Sequence, residues 1–521
     1  LAVGFASARI IFTARNAENA KVRDLHLIAK QSIQKLIFGI FVFFVVKTNQ
    51  TGGYGEIYMK RIALVICWAW GFTVAAEKPN IVFIITDDQG WGDIGYNNPN
   101  VYTPNLDKLA KAGAVFTQHY VMPQCTPTRI AAFTGRYPGR FGPNGLQATS
   151  KKVFPVGTEN VASVLKSAGY ATYQCGKWHM GTKPEDGPNH HGFDFSYGTL
   201  EGACGAYDHH YRGSKETWHR NLAYIPGAEN GRHVTDLITE EAIRIIQEKK
   251  TKPFFLYLAF TAPHTPLDER GTFVDQPTKL DPRNPQRWMN EDKISWFNDP
   301  AGKIQKEKDP EKRLLLAVVH HLDDAIGQVI KSLEEAGQRE KTLILFSSDN
   351  GPQVDWPGNA YPDDLKLTDF NQPIPFRGSK CDAFEGGIRV PGFANWPGTI
   401  KPQTISTPLH IVDWLPTVAA LAGSPKEKCP RVDGTDISPL LLGTGTIPPR
   451  DLYWVWSGVK WAMREGDWKV VYNGKAPALS TWSLYNLTTD EQEKVDVSKK
   501  NADVVKALHK KFLTQRTLDT F

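Results

Sequence analysis

Asn80-Ile81-Val82-Phe83-Ile84-Ile85-Thr86 is an unbroken apolar, β-branched run that stops at Asp87-Asp88. A strand with one wet face alternates apolar and polar residues. This one does not, so it is predicted to lie in a parallel sheet covered on both faces. Two carboxylates at the end of a buried strand are costly unless a cation or water meets them, and the carboxyl edge of an open α/β sheet is where sites form. A solvated turn is the plainer alternative for the pair.

The same pattern, an apolar run delivering a polar cluster, recurs three times. Residues 170–175 lead to Gly176-Lys177-Trp178-His179, residues 253–260 to Pro263-His264, and residues 342–346 to Ser347-Ser348-Asp349-Asn350-Gly351. Helical periodicity with cap or stop signals falls between them, over 103–113, 159–168, 233–249 and 313–335. Strands alternating with helices predict an α/β fold: a large, mostly parallel sheet sandwiched by helices. After residue 450 short aromatic strands (452–456, 468–472, 482–486) precede a polar helix over 502–512. A smaller C-terminal antiparallel sheet plus helix is expected there, packed beside the main sheet. Three stretches, 181–232, 266–311 and 352–375, fit neither pattern and are expected to be long loops roofing the site.

The chain has 521 residues, 41% of them hydrophobic, and a formal charge of +6. That charge belongs to the N-terminus: residues 1–76 hold nine Lys and Arg against three Asp and Glu, and from residue 77 on the 52 of each sign balance. A neutral body argues against nucleic acid as a partner. From Met59 the chain reads Met-Lys-Arg, an apolar run over 62–74, then Ala75-Ala76, the order of a secretory signal with cleavage after Ala76. The alternative, a short membrane anchor, is disfavoured because the run falls below the ~20 residues a span needs. The expected organisation is upstream translation or a tether over 1–58, a signal peptide over 59–76, a catalytic domain over 77–449 and a C-terminal subdomain over 450–521. Export to the periplasm or the extracellular space follows, with no stable membrane span after cleavage. Cys175, Cys204, Cys381 and Cys429 match no zinc spacing, and one or two bridges among them are open.

Cys125-Thr126-Pro127-Thr128-Arg129 stands where an irregular lead-in gives way to a short apolar helix, with Pro127 in the first turn. The free N–H groups of that turn suit an anion beside Cys125, and Arg129 adds a positive fork one turn on. Asp87, Asp88, Asp349 and Asn350 offer only oxygens, a set for Ca²⁺ or, alternatively, Mg²⁺ rather than zinc. Lys177, His179, His264 and Lys380 are the remaining polar residues at strand or loop ends. Taken singly, each is more often a solvated or structural residue.

Taken together, these motifs resemble the type I, formylglycine-dependent sulfatases of the alkaline phosphatase superfamily. The resemblance rests on Cys125-x-Pro127-x-Arg129 with Thr134-Gly135-Arg136, on Gly169-Tyr170-x-Thr172 leading to Lys177-Trp178-His179, on Pro263-His264, on Asp349-Asn350-Gly351, and on Arg377-Gly378-Ser379-Lys380 followed by Glu385-Gly386-Gly387. It spans residue 79 to about 490 and is nearest in flavour to arylsulfatases A and B and N-acetylgalactosamine sulfatases. Thr128 in place of serine and Cys175 in place of a smaller or aliphatic residue are its mild departures. The resemblance implies a Cys125 oxidised to formylglycine by a maturation enzyme, and a Ca²⁺ held by Asp87, Asp88, Asp349, Asn350 and the modified Cys125. It further implies that Arg129 holds the aldehyde hydrate and that Lys177 and Lys380 bind sulfate oxygens. One hydrate hydroxyl would attack sulfur while His264 protonates the leaving alcohol, and His179 would help the second hydroxyl expel sulfate. The implied substrate is a sulfate monoester on an extracellular polysaccharide. A phosphonate monoester or phosphodiester hydrolase of the same superfamily and a non-catalytic exported glycan-binding protein are the alternatives.

Overall fold

The computed structural model describes residues 78–211, 215–248, 251–265, 302–308, 310–354, 376–424, 431–474 and 481–520. The expected leader at 59–76, the stretch 1–58, Cys429 and the loop residues 266–300 and 355–375 lie outside the described residues. The unbroken apolar run is strand β1 (Asn80–Thr86), buried along its whole length. It sits in the middle of the main sheet. The strands of that sheet are β1, β2 (Ala114–Phe116), β3 (Ala171–Gly176), β4 (Phe195–Thr199), β5 (Trp218–Arg220), β6 (Ala223–Tyr224), β7 (Phe254–Ala259), β8 (Thr342–Ser348), β9 (Gly392–Asn395) and β10 (Gln403–Ile405). Their order is β10-β2-β9-β8-β1-β7-β3-β4-β5-β6. The five from β8 to β4 run parallel, and antiparallel strands β9 and β5 flank them.

Side-chain alternation divides the core into two layers, one on each sheet face. Ile81, Phe83 and Ile85 of β1 point into one and Val82 and Ile84 into the other. β7 divides likewise, with Phe255 and Tyr257 on the first face and Leu256 and Leu258 on the second. Each fully buried large apolar side chain is worth about 1.5–3 kcal/mol, so five on one seven-residue strand make β1 the least replaceable element of the sheet. Helices α1 (Pro104–Lys111), α4 (Val234–Gln247) and α5 (Pro310–Glu335) cover the second face. Helices α2 (Cys125–Thr134), α3 (Val161–Ser167) and α6 (Trp414–Leu421) cover the first. The start of α3 follows from Asn160, whose side chain accepts from the N–H groups of Ala162 and Ser163, while the Ser163 hydroxyl accepts from the Asn160 N–H. Such a reciprocal cap satisfies donors that would otherwise be orphaned.

The small antiparallel sheet holds β11 (Asp451–Trp456), β12 (Lys460–Glu465), β13 (Trp468–Asn473) and β14 (Ser483–Asn486), followed by helix α7 (Ala502–Arg516). It closes over the first face: the Trp454 indole N–H donates to Val121 O at 2.9 Å, and Tyr453 meets Tyr137 edge-on at 5.3 Å.

Two expectations need correction. Residues 181–232 are not one long loop, because β4, β5 and β6 lie within them and extend the main sheet. β4 is hidden in the sequence because Gly198 sits at φ +136°, where a Cβ would come 2.2 Å from Gly176 O. Only glycine fits there, and glycine reads as a loop. β12 is likewise unforeseen, since Lys460, Arg464 and Glu465 mask its alternation. Among the described cysteines, Cys125, Cys175, Cys204 and Cys381 are all free thiols.

Candidate active site

Four neighbouring parallel strands, β8-β1-β7-β3, end on one edge of the sheet, and each delivers a polar cluster there. β1 gives Asp87 and Asp88, β3 gives Lys177 and His179, β7 gives His264, and β8 gives Asp349 and Asn350. The strand ends are stitched together. Asp87 N–H donates to Ala262 O at 3.1 Å, Lys177 N–H to Ala259 O at 2.8 Å, and Asp349 N–H to Thr86 O at 3.0 Å.

Cys125 enters from the first face as the opening residue of α2, behind an extended Gln124, and is 2% exposed. Thr128 fixes the approach: its hydroxyl donates to Met122 O and accepts from Met122 N–H, both at 3.0 Å. Burial pushes the Cys125 thiol above its ordinary range although Lys177 and Lys380 pull it down. As a thiol it would be a poor nucleophile.

Arg129, fully buried, lies against the carboxylates. Its Nη2 is 2.8 Å from Asp349 Oδ2 and 3.9 Å from Asp87 Oδ2, and its Nη1 donates to Lys177 O at 3.1 Å and Tyr257 Oη at 3.2 Å. Lys177 pairs closely with Asp87. Lys380 comes from the loop after residue 375 and sits 2.8 Å from Asp88. Its backbone N–H is held by Pro352 O at 2.9 Å, and the next N–H, of Cys381, by Pro123 O at 2.7 Å. Gly351 lets that loop close in: a Cβ on it would lie 1.8 Å from Gly386 O, so the Asp-Asn-Gly and Glu-Gly-Gly motifs touch backbone to backbone.

Burial raises Asp349 to about 6, with Asp87 adding to the rise and Arg129 opposing it. Asp88 is also buried, yet Lys380 holds it below the usual carboxylate range. His264 lies 3.6 Å from Asp88, and its Nδ1 stands 2.6 Å from Thr265 O; because a carbonyl only accepts, Nδ1 carries the proton and Nε2 faces the carboxylate. Burial, then Lys380, lowers its pKa to about 3. His179 is held well below its ordinary value by burial and by Lys177, Arg129 and Lys380. Both rings are neutral at neutral pH, so His264 can donate from Nε2 only after gaining a proton there.

Three carboxylates thus face three fixed cations. Asp87 Oδ1 and Asn350 Oδ1 are buried acceptors with no hydrogen-bond partner, which costs free energy unless something positive meets them. These oxygens, with Asp88 and Asp349, suit a hard cation. Asp87, Asp88 and His264 also converge closely enough to bind an ion. A bound dication would leave the pocket net positive and attractive to an anionic ester. All ten residues proposed from sequence therefore gather at one edge. Sequence reasoning missed Gln353, 3.4 Å from Lys380 Nζ, and Tyr257, which supports Arg129. Tyr257 could have been found from its inward position on β7, but Gln353 carried no signal.

The Lys380 loop is also tied to the C-terminal sheet. Glu385 Oε1 lies 2.9 Å from Lys469 Nζ, Glu385 Oε2 accepts from Tyr120 Oη at 2.7 Å, and Glu493 Oε1 is 2.8 Å from the same lysine. Glu385, Lys469 and Glu493 have no solvent exposure.

A family model described as Sulfatase matches residues 79–424. Arylsulfatase A of Homo sapiens is 31% identical over 429 residues, covering 75% of this chain and 73% of that protein. N-acetylgalactosamine-6-sulfatase of Mus musculus is 30% identical over 417 residues, covering 76% and 72%. Among solved structures, Ps i-CgsB in complex with k-i-k-neocarrahexaose aligns with a TM-score of 0.69 at 29% identity, covering 85% of this chain and 94% of that one.

Proposed function

The chain belongs to the sulfatase family and is a sulfuric ester hydrolase, and from that premise we propose that it cleaves sulfate monoesters on sugars of an extracellular polysaccharide. The observation that carries the reading is the convergence of Arg129, Lys177 and Lys380 with the oxygen ligands around a buried Cys125. A sulfate ester spreads its charge over several oxygens, and fixed cations aimed at them stabilise the transition state without reorganising.

In this reading Cys125, once oxidised to formylglycine by a maturation enzyme, would supply a hydrated aldehyde as nucleophile, and a bound Ca²⁺, or Mg²⁺ in its place, would supply the charge that polarises the sulfate. Asp87, Asp88, Asp349 and Asn350 would hold the cation together with the modified Cys125. Arg129 orients the residue at position 125, while Lys177 and Lys380 bind sulfate oxygens. His264 handles the proton of the leaving alcohol, and His179 takes the proton that must leave position 125 for sulfate release. Burial of the whole cluster excludes bulk water and strengthens each of these interactions.

Export to the periplasm or extracellular space accords with the leader at 59–76, and no helix among the described residues is long and apolar enough to cross a membrane. The carbohydrate named with Ps i-CgsB and the amino sugar named in the mouse relative point towards a sulfated galactan or galactosamine. The test is a desulfation screen on defined sulfated sugars, phosphonates and phosphodiesters, with mass spectrometry of the Cys125 peptide. Sulfated sugars should give the highest kcat/KM and the peptide should carry the aldehyde. A phosphonate or diester turned over faster than every sulfated sugar, or full activity with an intact thiol, would overturn the reading.

A further inference from the structure

The pocket around Cys125 has a rim on the side where α2 begins. Gln124, directly before Cys125, stands at the N-cap of α2 and is 7% exposed, yet its side chain caps no helical N–H. Its carboxamide is pinned elsewhere. Oε1 accepts from the Trp456 indole N–H at 2.9 Å and from the Ala148 N–H at 2.8 Å. Both partners can only donate, so the oxygen must face them and the NH₂ group is turned away. Nε2 has no hydrogen-bond partner among the described residues and is not among the atoms sealed from solvent, so its N–H groups stay open to a ligand one residue from position 125.

Trp456 ends β11, and Lys460 pairs with it across the turn into β12, its Nζ 5.3 Å from the centre of the indole ring. Lys460 in turn meets Asp382, two residues after Lys380, at 2.5 Å. Gln124, Trp456, Lys460 and Asp382 thus form an arc of linked side chains from the residue before Cys125 to the loop that carries Lys380. The last three are half-buried. Where fixed cations hold the anionic end of an ester, the part left for such a rim is the neutral alcohol. A neutral amide donor beside an indole suits a ring that bears hydroxyl groups, whereas a plain aryl group would leave the amide unmatched. Resting on the sulfatase reading above, we propose that Gln124 is a specificity-determining residue: Nε2 donates to an oxygen of the sugar that bears the ester, and Trp456 holds the amide in place for it.

The test uses the full chain co-expressed with a formylglycine-generating enzyme. kcat/KM is measured on the sulfated sugar that ranks first in the desulfation screen and on para-nitrophenyl sulfate, which has no sugar. The ratio of the two values cancels any change in the share of active molecules, which matters because Gln124 adjoins Cys125. Gln124→Leu should lower that ratio about tenfold, the loss of one hydrogen bond to the sugar. Trp456→Phe keeps a ring but removes the indole N–H that pins the amide, so it should lower the ratio in the same direction by a smaller factor, and it carries the test if Gln124→Leu does not fold. An unchanged ratio in Gln124→Leu, or in Trp456→Phe if only that variant folds, would overturn this inference and leave the sulfatase reading standing. A native chain that desulfates no sugar would overturn both.

Discussion

Replacing Lys469 with methionine keeps the length of the side chain and removes the one positive charge lying between Glu385 and Glu493. In the native protein Nζ is 2.9 Å from one carboxylate and 2.8 Å from the other, and all three residues are sealed from solvent. Breaking a buried ion pair costs about 3–5 kcal/mol because the partner stays buried without compensation. Here two carboxylates remain. Glu385 keeps Tyr120 Oη at 2.7 Å and Arg389 at 3.5 Å, and Glu493 keeps the Glu385 N–H at 2.6 Å, so the loss should fall within that range. The loss should also depend on pH. Burial, with Glu385 adding to it and Lys469 opposing, raises Glu493 to about 7, so below that pH the folded state binds a proton the unfolded state lacks. A group raised in this way contributes stability that is full below its unfolded value and is lost as pH climbs through the folded one. Without Lys469 the folded value rises further and the window widens upward. Glu385 has the opposite sign: Lys469, Arg389 and Arg464 outweigh burial and hold it below its ordinary value, so its contribution is present above the unfolded value and is lost on acidification. Denaturant unfolding of Lys469→Met against the native chain should therefore show a deficit of about 3–5 kcal/mol near pH 8 that shrinks near pH 6 as Glu493 takes its proton. A deficit under about 1 kcal/mol, or one equal at both pH values, would refute the argument.

Asp349→Asn should reproduce the effect of chelation, with activity lost and restored by added Ca²⁺ only in the native chain; rescue by Zn²⁺ alone would contradict an all-oxygen cation site. His264→Ala should slow sugar sulfates by about 10²–10⁴ in kcat while sparing aryl sulfates, whose leaving groups need no proton, and an equal loss on both classes would remove His264 from proton transfer. Cys125→Ala should keep the native unfolding temperature and have no turnover, and residual turnover in that variant would show that position 125 does not supply the nucleophile.

Much of the fold and of the candidate site's geometry is legible in the amino-acid sequence itself. β1 is readable because burial on both faces leaves no alternation to misread, and α3 and α4 because their apolar residues recur at the helical period. The candidate site is readable because parallel neighbours finish together, so four polar clusters after four apolar runs have to meet. What escapes lies in contacts that local pattern does not encode. Gly198 belongs to a strand only because Gly176 O comes so close to it. The bond of Gln353 to Lys380 and the burial of Glu385 under Lys469 depend on chain returning from far away in sequence.

The central position of β1 also governs the order in which the molecule can be finished. It is the first strand of the sheet to be made, yet its neighbours β7 and β8 pair with it through Phe255 and Thr342, long after it. Cys125 therefore spends the synthesis of everything up to Lys380 on an incomplete chain, an interval of roughly 10–50 s at roughly 5–20 residues per second. Once β8 and the Lys380 loop close, the side chain is 2% exposed. If Cys125 is modified as proposed, an enzyme that must grip the polypeptide around it would have that interval, and the rate of translation would then bear on how many molecules become active.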